Sequence, residues 1–205
     1  MRTGVLLVVA GLAAARAGVA QTRAPTPKAE TAVFAGGCFW GVDAVFRHVR
    51  GVTTVVSGYA GGGAATAHYD LVSTSTTGHA ESVEVTYDPA RVSYEELLRV
   101  FFTVAHDPTE RNRQGPDIGS QYRSVVFYRT PEQHAAAVRM IADLGRRTAY
   151  PRPIVTEVVP LDRFFPAEAY HQDYLAHHLT SPYIVYNDLP KLKRLEGEFP
   201  KLYRP

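Results

Sequence analysis

The chain has 205 residues, a formal net charge of +2 and 45% hydrophobic residues, the profile of one sizeable globular domain rather than two. No Lys or Arg run exceeds a pair, so the basic stripe that nucleic-acid binding demands is missing. A single cysteine, Cys38, excludes an internal disulfide framework.

Arg2 precedes the apolar run GVLLVVAGLAAA (4–15), and small residues follow up to Ala20. A basic start, an apolar stretch too short to span a bilayer and a small-residue cleavage site predict a secretory signal peptide over 1–20. That implies export, to the periplasm or beyond, and no membrane contact after cleavage. Residues 21–29, with two prolines, predict a flexible leader, leaving 30–205 as a single domain. An odd cysteine in an exported protein suggests intermolecular pairing or a reactive thiol, with a buried inert cysteine acting as a small hydrophobe as the alternative.

TAVFA (31–35) predicts a short strand that stops at Gly36-Gly37. Phe39, Val42, Phe46 and Val49 then recur at helical spacing, with a stop at Arg50-Gly51. Cys38 therefore falls where a strand turns into a helix. VTTVV (52–56) predicts a strand, followed by a long small-residue loop from Gly58 to His79. ESVEVTY (81–87) alternates as a strand should, and SYEE (93–96) is a capping box opening a helix that stops before Asp107-Pro108. A polar loop (109–119) leads into the strand YRSVVFY (122–128), and Thr130, Pro131 and Gln133 open another helix. IVTEVV (154–159) predicts a strand and 166–178 a last helix. The proline-punctuated tail from Ser181 predicts an irregular segment wrapping the surface. The order β-α-β-β-α-β-α-β points to an α+β fold. It is a two-layer α/β sandwich with a mixed sheet of ferredoxin-like (α/β plait) type, long loops and helices on one side.

The chemistry centres on Cys38. A helix N-terminus offers unpaired N–H groups and the positive end of the dipole, both of which favour a thiolate. A free thiol with pKa ~8.5 is about 3% ionised at pH ~7, and lowering it to about 7 makes roughly half of it thiolate. Phe39 and Trp40 beside it offer an apolar wall suited to a methyl or thioether group. TGHAE (77–81) places Glu81 where a loop enters a strand, and QGPDIGSQYRS (114–124) places Asp117 and Tyr122 similarly. His171, His177 and His178 match no HExxH spacing and read as surface or packing histidines, so no metal is implied. The glycine run 58–63 lacks the Gly-Lys-Ser/Thr ending of a phosphate loop, so no nucleotide is implied either.

Taken in order, GCFWG (37–41), GYAGG (58–62), Tyr69, TGHAE, YDP (87–89), HDPT (106–109), QGPDIGSQYRS, FPAE (165–168) and YHQDY (170–174) form a recognisable series. The chain resembles the A-type peptide-methionine sulfoxide reductases from Thr31 to about Tyr186. The resemblance implies a substrate, the S-epimer of methionine sulfoxide, free or in proteins, and a role in repairing oxidative damage. It implies Cys38 as the nucleophile on the sulfoxide sulfur, Glu81 as the acid, and Tyr69 and Tyr122 as hydroxyls that hold and protonate the oxygen. By the same resemblance Asp117 orients the substrate or a water, and Phe39 and Trp40 form the methyl pocket.

The chain departs from the pattern in two ways. Many relatives carry further cysteines near the C-terminus that resolve the sulfenic acid, and residues 181–205 hold none. Ser73 stands where relatives often have cysteine, and Ser75 where they often have glycine. No internal thiol can then condense with a Cys38 sulfenic acid. An external reductant is required, either a small thiol or a thioredoxin- or glutaredoxin-like donor. A monomer with no bound cofactor is expected. Two rivals remain at this point, a one-cysteine thiol peroxidase and a non-enzymatic exported module that binds methionine peptides.

Overall fold

Residues 28–147 and 149–205, with Met1 and Gly4, are described by the computed structural model. The predicted signal peptide and most of the predicted leader lie outside the described residues. The first strand, β1 (Glu30–Ala35), leads through Gly36 and Gly37 to helix α1 (Phe39–Arg47) and strand β2 (Val52–Ala60). A loop carrying the one-turn helix α2 (Tyr69–Val72) returns the chain to β3 (Ala80–Tyr87) and then α3 (Tyr94–Val100). Ser93 caps α3 as a reciprocal box with Glu96. The helix then loosens into a π turn at Phe101–Ala105. A small hairpin of β4 (Arg113–Gln114) and β5 (Asp117–Ile118) precedes β6 (Val125–Tyr128), and α4 (Pro131–Arg146) is capped by Thr130 as expected. The chain closes with β7 (Glu157–Pro160), β8 (Phe164–Pro166), the short α5 (Tyr174–His177) and α6 (Leu189–Glu198).

Among the described residues six strands form one sheet in the order β7-β6-β1-β3-β2-β8. Its central four, β6-β1-β3-β2, are antiparallel neighbours joined by two split βαβ units, the ferredoxin-like arrangement the element order predicts. β7 joins β6 in parallel and makes the sheet mixed. Ala32 and Phe34 of β1 face the helices with Val83, Val85 and Val126, while Val33, Ala35, Val125 and Phe127 face the other side. That second face is closed by Val159, Leu161 and Phe164 rather than by a helix. Burial on both faces explains why TAVFA reads as a continuous apolar run. Phe39, Val42, Phe46 and Val49 all enter the main core as their spacing demands. Each fully buried Phe or Val contributes about 1.5–3 kcal/mol relative to exposure.

Four expectations are corrected. The strand begun at Val52 does not end in a glycine loop at Gly58. It continues to Ala60 between β3 and β8, because Gly58 lets β8 approach closely: a Cβ there would lie 2.3 Å from the Phe165 carbonyl oxygen. Tyr122 lies in a 3-10 turn (Ser120–Tyr122) ahead of β6 rather than in the strand. The predicted helix over 166–178 is broken into β8, a 3-10 turn (Ala169–His171) and α5, with Asp173 at a φ of 51°. The Gln172 amide forces the break by donating to the Ser57 and Ala167 carbonyls while its oxygen accepts from the Ser57 N–H. Finally, the tail is not irregular. After a π turn at Ile184–Asp188 it forms α6, whose Leu195 is fully buried and whose Leu192 packs beside it in the core. Pro190 sits in its first turn and Pro200 beyond its end, so the prolines bracket the helix instead of breaking it.

Candidate active site

Cys38 is the N-cap of α1, half-buried at the point where β1 turns into the helix. Gly37 adopts a φ of 91°, and a Cβ on it would lie 2.6 Å from the Gln114 side chain, so only glycine fits this turn. Alternation along β3 places Glu81 on the same face as Val83 and Val85, at the strand end nearest Cys38. Its Oε2 accepts the backbone N–H of Phe39, the first residue of α1, at 3.0 Å.

Burial of the thiol overturns the expectation of a lowered pKa. The first N–H group of the helix is given to Glu81, not to the sulfur. Burial pushes the Cys38 thiol well up, with Glu81, Asp188 and Asp117 adding to the rise and the Trp40 backbone N–H opposing it. Burial likewise pushes the Glu81 carboxyl up to about 8, with the Phe39 N–H opposing and Asp117 adding. At neutral pH both groups of the pair are therefore uncharged.

The other candidate residues converge on this pair from separate elements. Tyr69 opens α2, and its backbone N–H donates to Glu168 Oε1 at 3.0 Å while the Tyr59 hydroxyl donates to Oε2 at 2.8 Å. Burial raises the Tyr69 hydroxyl, with Glu81 next and Cys38 also contributing. Tyr122 is raised by burial and then by Glu81, Asp117 and Cys38. Asp117 of β5 accepts the Tyr183 hydroxyl and is pushed up by burial, against that hydrogen bond and the Lys191 charge. Trp40 stacks on Tyr174 at 3.7 Å and meets Tyr183 edge-on at 5.9 Å. Phe39 is in the core, 1% exposed, between Tyr59 and His171.

Several residues at the site were not singled out by sequence. Glu168 and His171 lie within FPAE and YHQDY but carry no charge pattern or motif spacing that marks them. His171 is fully inside, 2% exposed, whereas His177 and His178 are on the surface. Tyr183 and Asp188 belong to the tail that reads as irregular. The Ile184, Leu192 and Leu195 spacing was the available signal that the segment packs back on the domain. The Asp188 side chain is wholly buried, accepts from Lys191 at 3.1 Å and presses on Gly41, where a Cβ would lie 2.1 Å from its oxygen. Ser75 adopts a φ of 65°, a conformation that favours glycine, and its hydroxyl donates to Gln121 at 2.6 Å in the turn that carries Tyr122. Among the described residues no group of three or more His, Cys, Asp or Glu could hold a metal ion, and no helix is long and apolar enough to cross a membrane.

Residues 30–202 match the family model described as peptide methionine sulfoxide reductase. The chain is 55% identical over 177 residues to peptide methionine sulfoxide reductase MsrA 2 of Mesorhizobium japonicum, covering 86% of this chain and 91% of that one. It is 47% identical over 176 residues to MsrA of Thermus thermophilus, covering 86% and 98%. Among solved structures it is similar to Mxr1 of Saccharomyces cerevisiae in reduced form, with a TM-score of 0.69 and 30% identity over 75% of this chain and 88% of that one. It is also similar to methionine sulfoxide reductase A of Corynebacterium diphtheriae, with a TM-score of 0.65 and 34% identity over 76% and 77%. The match runs through the cysteine turn, the buried carboxyl and the tyrosine-bearing segments alike, and on that ground the chain belongs to the peptide methionine sulfoxide reductase family.

Proposed function

We propose that this protein reduces methionine (S)-sulfoxide, free and in proteins, through attack of Cys38 on the sulfoxide sulfur with Glu81 as the acid. The observation that carries the reading is the buried Glu81 carboxyl, pushed up to about 8 by burial and accepting the N–H next to Cys38. A sulfoxide oxygen leaves sulfur only as it gains a proton, and a carboxyl that keeps its proton at neutral pH can supply one. As the Cys38 sulfur bonds to the substrate sulfur and then takes over its oxygen, Glu81 gives up a proton and the thiol proton replaces it. The products are methionine and a Cys38 sulfenic acid, and the pair ends uncharged as it began. While Glu81 is protonated its charge no longer opposes ionisation of the thiol, which makes the proton exchange self-consistent. Tyr69 and Tyr122 donate to the oxygen, Asp117 orients the substrate, and Phe39 with Trp40 walls the methyl group.

Recycling uses an outside thiol. One thiol displaces water from the sulfenic acid to form a mixed disulfide, and a second releases Cys38 and leaves as a disulfide. The absence of any other cysteine from the sequence supports this route. Export in monomeric form completes the proposal, and the basic-then-apolar start at Arg2 and Gly4–Ala15 supports export. The test is a single-turnover assay on an enantiopure sulfoxide. Without reductant, about one methionine per protein and a dimedone-reactive Cys38 are expected, and Cys38→Ser should release none. Several turnovers without reductant, or equal use of the R-epimer, would overturn the scheme.

A further inference from the structure

Trp40 is the only tryptophan in the chain, and its indole N–H donates to His171 Nδ1 at 3.2 Å. An indole N–H is a donor and nothing else, so Nδ1 must present its lone pair and the proton of the neutral ring sits on Nε2. Nε2 is itself buried and meets no hydrogen-bond partner among the described residues. A second proton would have to go on Nδ1, setting two donors face to face, with no acceptor at Nε2 to stabilise the charge.

The same ring is packed by Phe39 at 4.9 Å and Tyr69 at 4.4 Å between centroids, so it touches side chains from both α1 and α2. The ionisable groups around it are the Glu168 carboxylate on its own segment, Tyr170 beside it and Tyr69 from α2. Burial is the larger influence and lowers its proton affinity, while Glu168 opposes. Glu168 is already engaged by the Tyr69 N–H and the Tyr59 hydroxyl.

We propose that His171 is a positioning residue for sulfoxide reduction: as a neutral acceptor it fixes the Trp40 indole at the methyl pocket, and protonation of the imidazole releases that indole. The inference rests on the reductase reading of the site, but half of its test does not. Because Trp40 is the sole indole, its fluorescence reports the contact directly. In the wild type, Trp40 emission shifts as pH falls through a midpoint below about 6.5, the ordinary histidine value, with the contact whole above the midpoint and lost below it.

Two variants separate the acceptor from the ring. His171→Phe keeps a ring against Phe39 and Tyr69 without an acceptor, and His171→Asn keeps an acceptor near the Nδ1 position without titrating. His171→Phe should show the released-indole emission already at neutral pH and raise KM about five- to tenfold, with kcat changing less. His171→Asn should hold KM within about twofold of wild type and show no acid transition. Circular dichroism at each pH reports folding, and if His171→Phe fails to fold, the wild-type titration and His171→Asn still decide.

An acid transition of Trp40 emission that persists in His171→Asn overturns the proposal, as does His171→Phe with wild-type emission and KM. Failure of the wild type to reduce sulfoxide would overturn the reductase reading alone, because the emission titration would still test the contact.

Discussion

Two buried carboxylates serve helix α1, Asp43 from within the helix and Glu81 from β3 at its N-terminus, and their surroundings differ in one respect. Asp43, 1% exposed, is paired with the Arg47 guanidinium and accepts from the Ser57 hydroxyl at 3.3 Å. Burial pushes it up to about 6, with Arg47 opposing the rise. Glu81, 3% exposed, meets no cation among the described residues, only one backbone N–H, and rises to about 8. The compensated group stays ionised at neutral pH and ties α1 to β2, since Arg47 also donates to the Val55 carbonyl at 2.7 Å. The uncompensated group keeps a proton. On the proposed mechanism, withholding a cation is what makes Glu81 an acid where Asp43 is a strut.

The sharpest way to break that comparison is Glu81→Gln, which leaves the shape and the Phe39 bond but has no proton to give. Turnover should fall by about 10²–10⁴ with the fold intact, read by steady-state kinetics beside a thermal melt. Wild-type turnover would remove Glu81 from the chemistry.

The same group predicts a pH dependence of stability. The folded carboxyl keeps its proton up to about 8, whereas an unfolded glutamate loses it near about 4.3. The folded state binds more protons within that window, so Glu81 costs stability increasingly as pH rises across it. Urea titrations of wild type and Glu81→Gln should diverge in favour of the variant by roughly a few kcal/mol at pH ~8 and converge near pH ~4. Parallel curves across that range would show that Glu81 is ionised in the folded protein.

Asp43→Asn tests the other side. Leaving Arg47 with a neutral partner should cost about 2–3 kcal/mol in urea unfolding, below the full figure for a buried pair because Arg47 is partly exposed and also faces Asp173. Turnover of the folded variant should stay near wild type. The smallest effect is expected at Ser75. Ser75→Gly relieves a left-handed backbone worth about 1 kcal/mol but forfeits the Gln121 hydrogen bond of similar size, so the melting temperature should move by no more than about 2 °C.

How far the sequence could be read depended on whether a residue's partner was local. Ser93 with Glu96 and Thr130 with Gln133 are three residues apart, and both caps form as written. The apolar period of α1 needs only one face to bury, and Cys38 at its N-cap follows from the two glycines before it. Most of the misreadings have distant partners. Gly58 is a strand residue because β8 leans on it, and Gln172 breaks a helix because it bonds to Ser57, 115 positions away. Electrostatics failed for the same reason. The position of Cys38 was legible, but not its burial, nor that Glu81, 42 residues downstream of Phe39, meets the start of α1 from β3 and adds to the rise. Tyr183 and Asp188 were hidden because a proline-rich stretch reads as loop until a core is there to receive Leu195.

Burying the Cys38 thiol has a cost in idle reactivity and a benefit in endurance. A sulfur that stays protonated between encounters is a poor target for peroxide and alkylating agents, which react with the anion. With no second cysteine to trap its sulfenic acid before further oxidation, dormancy is the protection this chain has left. On the proposed mechanism the thiol is armed by the arrival of the sulfoxide oxygen, and stray oxidants find it asleep.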